Sequence, residues 1–189
     1  MANLSSSKGK LIVFSAPSGT GKTAIKNTLL KMDPTLVFSI SATTRAKREG
    51  ENDGKDYYFI SEEEFKDHIQ NDDFVEYDHH FGNYYGTLRM AVEPDLRMGC
   101  NVIMDLDVNG ALNVKKSYGG TSVLIFIKPP SMDELRKRLM SRGTETEETL
   151  KIRLARVQEE MDRAHLFDHV VVNDTIERAA NEILDIIRR

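Results

Sequence analysis

Ala16-Pro17-Ser18-Gly19-Thr20-Gly21-Lys22-Thr23 places two glycines, a lysine and a hydroxyl at the spacing that cradles an oligophosphate. Gly19 and Gly21 let backbone N–H groups turn inward around an anion, and the helix that follows adds its positive end. Lys22 can reach the terminal phosphates, and the Thr23 hydroxyl can ligate magnesium. Ala16 stands where the general pattern has glycine; an ordinary negative φ suffices for it. The bland reading, a strand-to-helix turn without ligand, leaves the intact Gly-Lys-Thr unexplained.

A second set of residues fits the same chemistry. Asp105 ends an apolar run, the place for a carboxylate that organises magnesium and its waters, and Asp107 is expected two residues on along the same strand face. Arg45 and Arg48 offer two guanidinium groups suited to forking around one phosphate. Between Arg136 and Arg156 basic residues outnumber acidic ones, and Arg138, Arg142 and Arg153 flank Gly143. That stretch reads as a hinged helical hairpin able to close over a ligand, with Arg138 and Arg142 four apart on one helix face. Ser41, Glu76, Tyr57, Tyr85 and Thr87 taken singly read as surface ion pairs or core aromatics.

These residues need elements to hold them. The apolar runs at 11–14, 36–38, 102–104, 123–127 and 170–172 read as strands buried on both faces, each separated from the next by helix-like sequence. Ser61 with Glu64, Ser131 with Glu134, and Thr175 mark helix starts, and a helix is expected over 24–31. Alternating strands and helices imply an α/β fold, a parallel sheet with helices on both sides. From about Ala42 to Val92 the pattern changes to short aromatic strands, Tyr57–Phe59 and Phe74–Tyr77, with a turn at Gly82-Asn83.

Composition narrows the function. The 189 residues are 40% hydrophobic and 30% charged, the profile of a globular unit rather than a disordered or disulfide-stapled chain. The net charge of −4 offers no general field for nucleic acid, so an anionic ligand must meet a local basic cluster. Met1–Lys10 is polar, and the apolar run after it is too short for a signal or a membrane span; with one cysteine, Cys100, a cytoplasmic setting is expected. His79 and His80 are read as adjacent turn residues whose side chains point opposite ways, and no histidine is given a role.

Together Ser-Ala-Pro-Ser-Gly-Thr-Gly-Lys-Thr, Thr-Thr-Arg-x-x-Arg-x-x-Glu-x-x-Gly-x-x-Tyr, Gly-Asn-Tyr-Tyr-Gly-Thr, Asp-Leu-Asp-x-x-Gly, Arg-Gly-Thr-Glu-Thr-Glu-Glu and Val-Asn-Asp, in this order, resemble the guanylate kinases from about Lys10 to the C-terminal helix. The resemblance implies a P-loop three-layer α/β/α fold with a central five-stranded parallel sheet. It divides the chain into a core (1–41, 93–135 and 167–189), a GMP-binding subdomain (42–92) and a helical lid (136–166). ATP would be the donor, magnesium the cofactor, and GMP or dGMP the acceptor. Arg45, Arg48, Tyr57 and Tyr85 would bind the GMP phosphate, Ser41, Glu76, Thr87 and Asp107 would face guanine, and Asp105 belongs with this set while holding magnesium through water beside Thr23. Residues 16–23 and Asn173 would hold ATP, and Lys22, Arg138, Arg142 and Arg153 would act on the transferring group. Lys47 replaces the usual proline between the two arginines, and Asn109 a glutamine. The rival readings are a non-catalytic guanylate-kinase-like module binding a phosphopeptide or protein, and a kinase for another small phosphate acceptor.

Overall fold

The computed structural model describes residues 9–80, 82–141 and 147–189. In chain order its elements are β1 (Leu11–Ser15), α1 (Lys22–Met32), β2 (Val37–Phe38), β3 (Ala42–Thr43), β4 (Tyr58–Phe59), α2 (Glu62–Gln70), β5 (Phe74–His80) and β6 (Asn83–Leu88). There follow α3 (Glu93–Arg97), β7 (Val102–Asp105), α4 (Val108–Tyr118), β8 (Ser122–Lys128), α5 (Met132–Met140), α6 (Glu147–Asp162), β9 (His169–Val172) and α7 (Ile176–Ile187).

The five apolar runs build one parallel sheet in the order β2-β7-β1-β8-β9. β1 lies at its centre, with Leu11 opposite Val102 on one side and Ser122 on the other. Side chains alternate across a strand, so Ile12 and Phe14 pack toward Ile25 and Leu29 of α1 and Ile183 of α7, while Leu11 and Val13 pack toward Ala111 and Val114 of α4. Both faces are covered, which is why the central strands read as unbroken apolar runs. The edge strands depart from that expectation: Val37 and Phe38 are half-buried and Val170 is exposed, because an edge strand has a neighbour on one side alone.

The stretch between α1 and α3 forms a second sheet, β4-β3-β6-β5, with β3 and β4 parallel and the other pairs antiparallel. Phe65 of α2 stacks on Phe74 and Tyr84 to close its small core. The hydroxyls of Ser61, Ser131 and Thr175 each accept a hydrogen bond from the backbone three residues on, starting α2, α5 and α7 as the sequence indicates. Among the described residues no helix is long and apolar enough to cross a membrane.

Candidate active site

β1 runs into the 16–21 loop, and α1 begins at Lys22, two residues before the start read from sequence. Gly19 and Gly21 both take left-handed φ values, 88° and 95°. A Cβ on Gly21 would lie 2.7 Å from Asn173 Nδ2, and one on Gly19 would lie 2.8 Å from Leu139 Cδ2. Ala16 has no positive φ, so the alanine is accommodated without strain. Asn173, buried just beyond β9, donates from Nδ2 to the Thr20 carbonyl at 2.6 Å. Lys22 Nζ forms an ion pair with the Asp105 carboxylate, which the β1–β7 register sets opposite Phe14.

A cleft of about 1230 Å³ runs from this loop to the second sheet. Ser41, Arg48, Tyr57, Glu76 and Tyr85 line its far wall, Asp105 and Asp107 its floor, and Arg153 its roof. Thr87 lies behind the wall, where its hydroxyl donates to Glu76 Oε1 at 2.9 Å and sits 3.2 Å from Ser41 Oγ. With its single proton committed to Glu76, Thr87 accepts from Ser41, giving a chain of hydroxyls that ends on the carboxylate. Glu76 is 8% exposed. Burial pushes its pKa up to about 7, against the Thr87 hydrogen bond and with help from Asp107 and Asp78. A Cβ on Gly110 would lie 2.9 Å from Glu76 Oε2, so a larger residue there would press on the carboxylate.

Asp107 differs from its sequence reading. The strand ends at Asp105, and Asp107 is the N-cap of α4, its Oδ1 accepting from the Gly110 N–H at 2.7 Å. A carboxylate at a helix start is stabilised by the orphan N–H groups, and the same bond fixes its direction. Arg45 and Arg48 also separate. Arg45 forks onto Glu51 at 2.8 and 3.0 Å, and the Arg48 backbone N–H donates to Glu51 as well, while the Arg48 side chain lines the cleft. The Arg45 guanidinium sits 5.5 Å from the Tyr57 ring centre, and burial raises the Tyr57 pKa.

The lid arginines fall on two cavities. Arg153 lines the main cleft, whereas Arg138, bonded to Glu134 at 3.1 Å, lines a 420 Å³ cavity with Gly19, Gly21 and Asn173. α5 ends at Met140, with Ser141 as its C-cap; Arg142 and the Gly143 hinge lie outside the described residues.

Several cleft residues have no counterpart in the sequence reading. Arg156 and Glu160, bonded at 3.2 Å, continue the cleft-facing stripe of α6 begun by Thr149 and Arg153, a spacing of three and four that was there to be read. Burial raises the Glu160 pKa. His79 and His80 are strand residues, not turn residues, and do point opposite ways: His79 against Tyr84, His80 flat on Tyr85. Glu76, Asp78 and His80 share a strand parity, and all three line the cleft.

A family model described as guanylate kinase matches residues 8–189. The chain is 48% identical to the guanylate kinase of Chlorobium luteolum over 93% of its own length and 89% of the relative's, and 49% identical to that of Bacteroides thetaiotaomicron over 95% and 89%. The crystal structure of guanylate kinase from Anaplasma phagocytophilum superposes with a TM-score of 0.79 at 36% identity, covering 96% of this chain and 86% of that one. A phosphate loop facing a carboxylate pocket across one cleft thus comes with a family match over nearly every residue, and the chain belongs to the guanylate kinase family.

Proposed function

We propose that this protein transfers the γ-phosphoryl group of ATP to GMP or dGMP, giving ADP and the guanosine or deoxyguanosine diphosphate. One observation carries the reading: a single cleft joins the Lys22 loop to the buried Glu76 carboxylate. In this reading 42–92 holds GMP, 136–166 is the lid, and 1–41, 93–135 and 167–189 form the core. A cytoplasmic setting goes with ATP as donor and with Cys100 as a free thiol.

Guanine presents N1–H and its 2-amino group as adjacent donors, which one carboxylate accepts together. The Ser41–Thr87 hydroxyl chain holds Glu76 in place for them. Adenine has a lone pair at N1 and no 2-amino group, and sites built on buried hydrogen bonds reject such analogues by about 10⁴ to 10⁵. Asp107, fixed by its helix, faces the same base. Arg48, Tyr57 and Tyr85 are placed for the phosphate of GMP, and Arg45 joins them by leaving Glu51 or by holding the loop that carries Arg48.

The attacking oxygen of GMP is already anionic, so no general base is needed; the barrier is lowered by charge neutralisation and in-line placement. Lys22 exchanges Asp105 for the terminal phosphates of ATP, while Arg153 from the roof, with Arg138 and Arg142, meets the charge on the transferring group. The Thr23 hydroxyl and an Asp105 oxygen make an all-oxygen donor set that suits magnesium, and these residues would hold it, Asp105 through water. Held by these residues, the ion would supply positive charge against the phosphate oxygens. Asn173 and the second cavity serve the adenosine side. The non-catalytic reading gains nothing from a loop that keeps Lys22 and Thr23 with Asp105 paired to the lysine.

ADP release with ATP and magnesium, run with GMP, dGMP, AMP, UMP or no acceptor, tests the assignment. Turnover confined to the guanine nucleotides is expected; equal turnover with AMP would refute the role of Glu76.

A further inference from the structure

Asp78 and His80 stand two residues apart on β5, and Asp107 approaches them from the start of α4. One donor atom from each of the three lies within 4.8 Å of the other two. The site is held from several sides. The His80 ring lies flat on Tyr85, with centroids 4.4 Å apart and planes 10° from parallel. His80 Nδ1 is 3.5 Å from Asp78 Oδ2. Asp107 spends Oδ1 on the Gly110 N–H and keeps its second oxygen for another partner. All three residues are half-buried and open onto the main cleft.

The donor types decide what such a site takes. Magnesium prefers oxygen ligands in a near-ideal octahedron, and an imidazole nitrogen beside two carboxylates suits zinc or cobalt better. Three protein ligands with an open fourth position is the arrangement of an accessible zinc site. Ligand atoms around tetrahedral zinc lie about 3.4 Å apart, so side-chain rotations of about 1 Å close the set around the ion. The Thr23 and Asp105 oxygens beside the phosphate loop form a separate set of different chemistry.

We propose that Asp78, His80 and Asp107 form a binding site for a borderline transition-metal dication, with zinc as its prototype, and that its occupation excludes GMP from the cleft. The metal half stands on these three residues alone; the exclusion half rests on the GMP reading above. Asp107 cannot serve a metal and a guanine base together, and an ion with its bound water at Asp78 stands one strand repeat from Glu76. Zinc and GMP are therefore competitors, and zinc bound here inhibits without touching the ATP loop.

Calorimetric titration of the whole protein with Zn²⁺, and the visible spectrum of Co²⁺ in its place, test the site with magnesium in excess and no ATP. One tightly bound ion and a tetrahedral Co²⁺ spectrum are expected. His80→Phe keeps a ring on Tyr85 and removes the nitrogen ligand; it and Asp78→Asn should each weaken zinc by at least about tenfold, with unchanged circular dichroism. Saturating GMP should weaken zinc binding by about tenfold or more. A folded protein that binds no zinc, or a His80→Phe variant that binds it as wild type does, overturns the site. Simultaneous binding of zinc and GMP overturns the exclusion. Zinc binding to a protein that takes no GMP keeps the site and sinks the exclusion together with the functional reading.

Discussion

The side-chain amide of Asn173 donates a 2.6 Å hydrogen bond to the Thr20 carbonyl, tying the residue just after the last strand to the loop that leaves the first. Both groups are buried, so Asn173→Ala leaves that carbonyl unsatisfied at about 1–3 kcal/mol. KM for ATP should rise by about tenfold or more while KM for GMP stays within twofold, as steady-state kinetics with each substrate varied will show. Equal effects on both would mean that the bond supports the fold as a whole and not the loop.

Glu76 makes two opposite demands on pH. With its pKa raised from 4.5 to about 7, the folded chain holds a proton between those values that the unfolded chain has released. The folded state therefore loses stability as pH rises from about 4.5 to 7, by roughly 3 kcal/mol in total. Glu76→Gln removes this loss, so its melting temperature should exceed that of wild type at pH 8 and match it near pH 4.5. Base recognition needs the ionised carboxylate, so KM for GMP should climb about tenfold per pH unit below 7 and the Gln variant should lose its preference over AMP. A variant no more stable than wild type at pH 8 would contradict the buried charge.

Lys22→Ala should lower kcat by about 10²- to 10³-fold, the scale of losing one charged contact to a developing transition state. GMP binding, measured calorimetrically without ATP, should stay within twofold, because Lys22 lies at the other end of the cleft. Near-normal turnover would remove the loop from the chemistry.

Arg153 and Arg138 should not behave alike. Arg153 lines the main cleft, so Arg153→Ala should depress kcat with little change in ATP affinity. Arg138 lies beside Gly21 and Asn173, and Arg138→Ala should raise KM for ATP as well as lowering kcat. Identical profiles would place the two guanidinium groups on one target.

Local chemistry was legible in the sequence. The loop carries its glycines and lysine within four positions, 19 to 22, and the central strands are apolar throughout because both faces are covered. Three helix starts were readable from a hydroxyl three residues ahead of a glutamate or beside a periodic run. What sequence left out depends on distant partners. Asp107 reads as a strand residue until α4 is seen to begin on it. Arg45 and Arg48 read as a matched pair until Glu51 occupies one of them. His80 gains its surroundings from Tyr85 and Asp107, which belong to different elements, and no periodicity along β5 announces either contact.

The position of β1 governs how this chain can be made. Its two neighbours in the sheet, β7 and β8, end at Asp105 and Lys128, so β1 waits for 90 further residues after Ser15 before either flank is filled. At about 5–20 residues per second, that wait lasts roughly 5–18 s. The Asn173 bond to Thr20 arrives later still, 45 residues after the end of β8. A nascent chain therefore has an unbraced 16–21 loop until residue 173 has been made, and the loop takes its final shape only after every strand of the central sheet is in place.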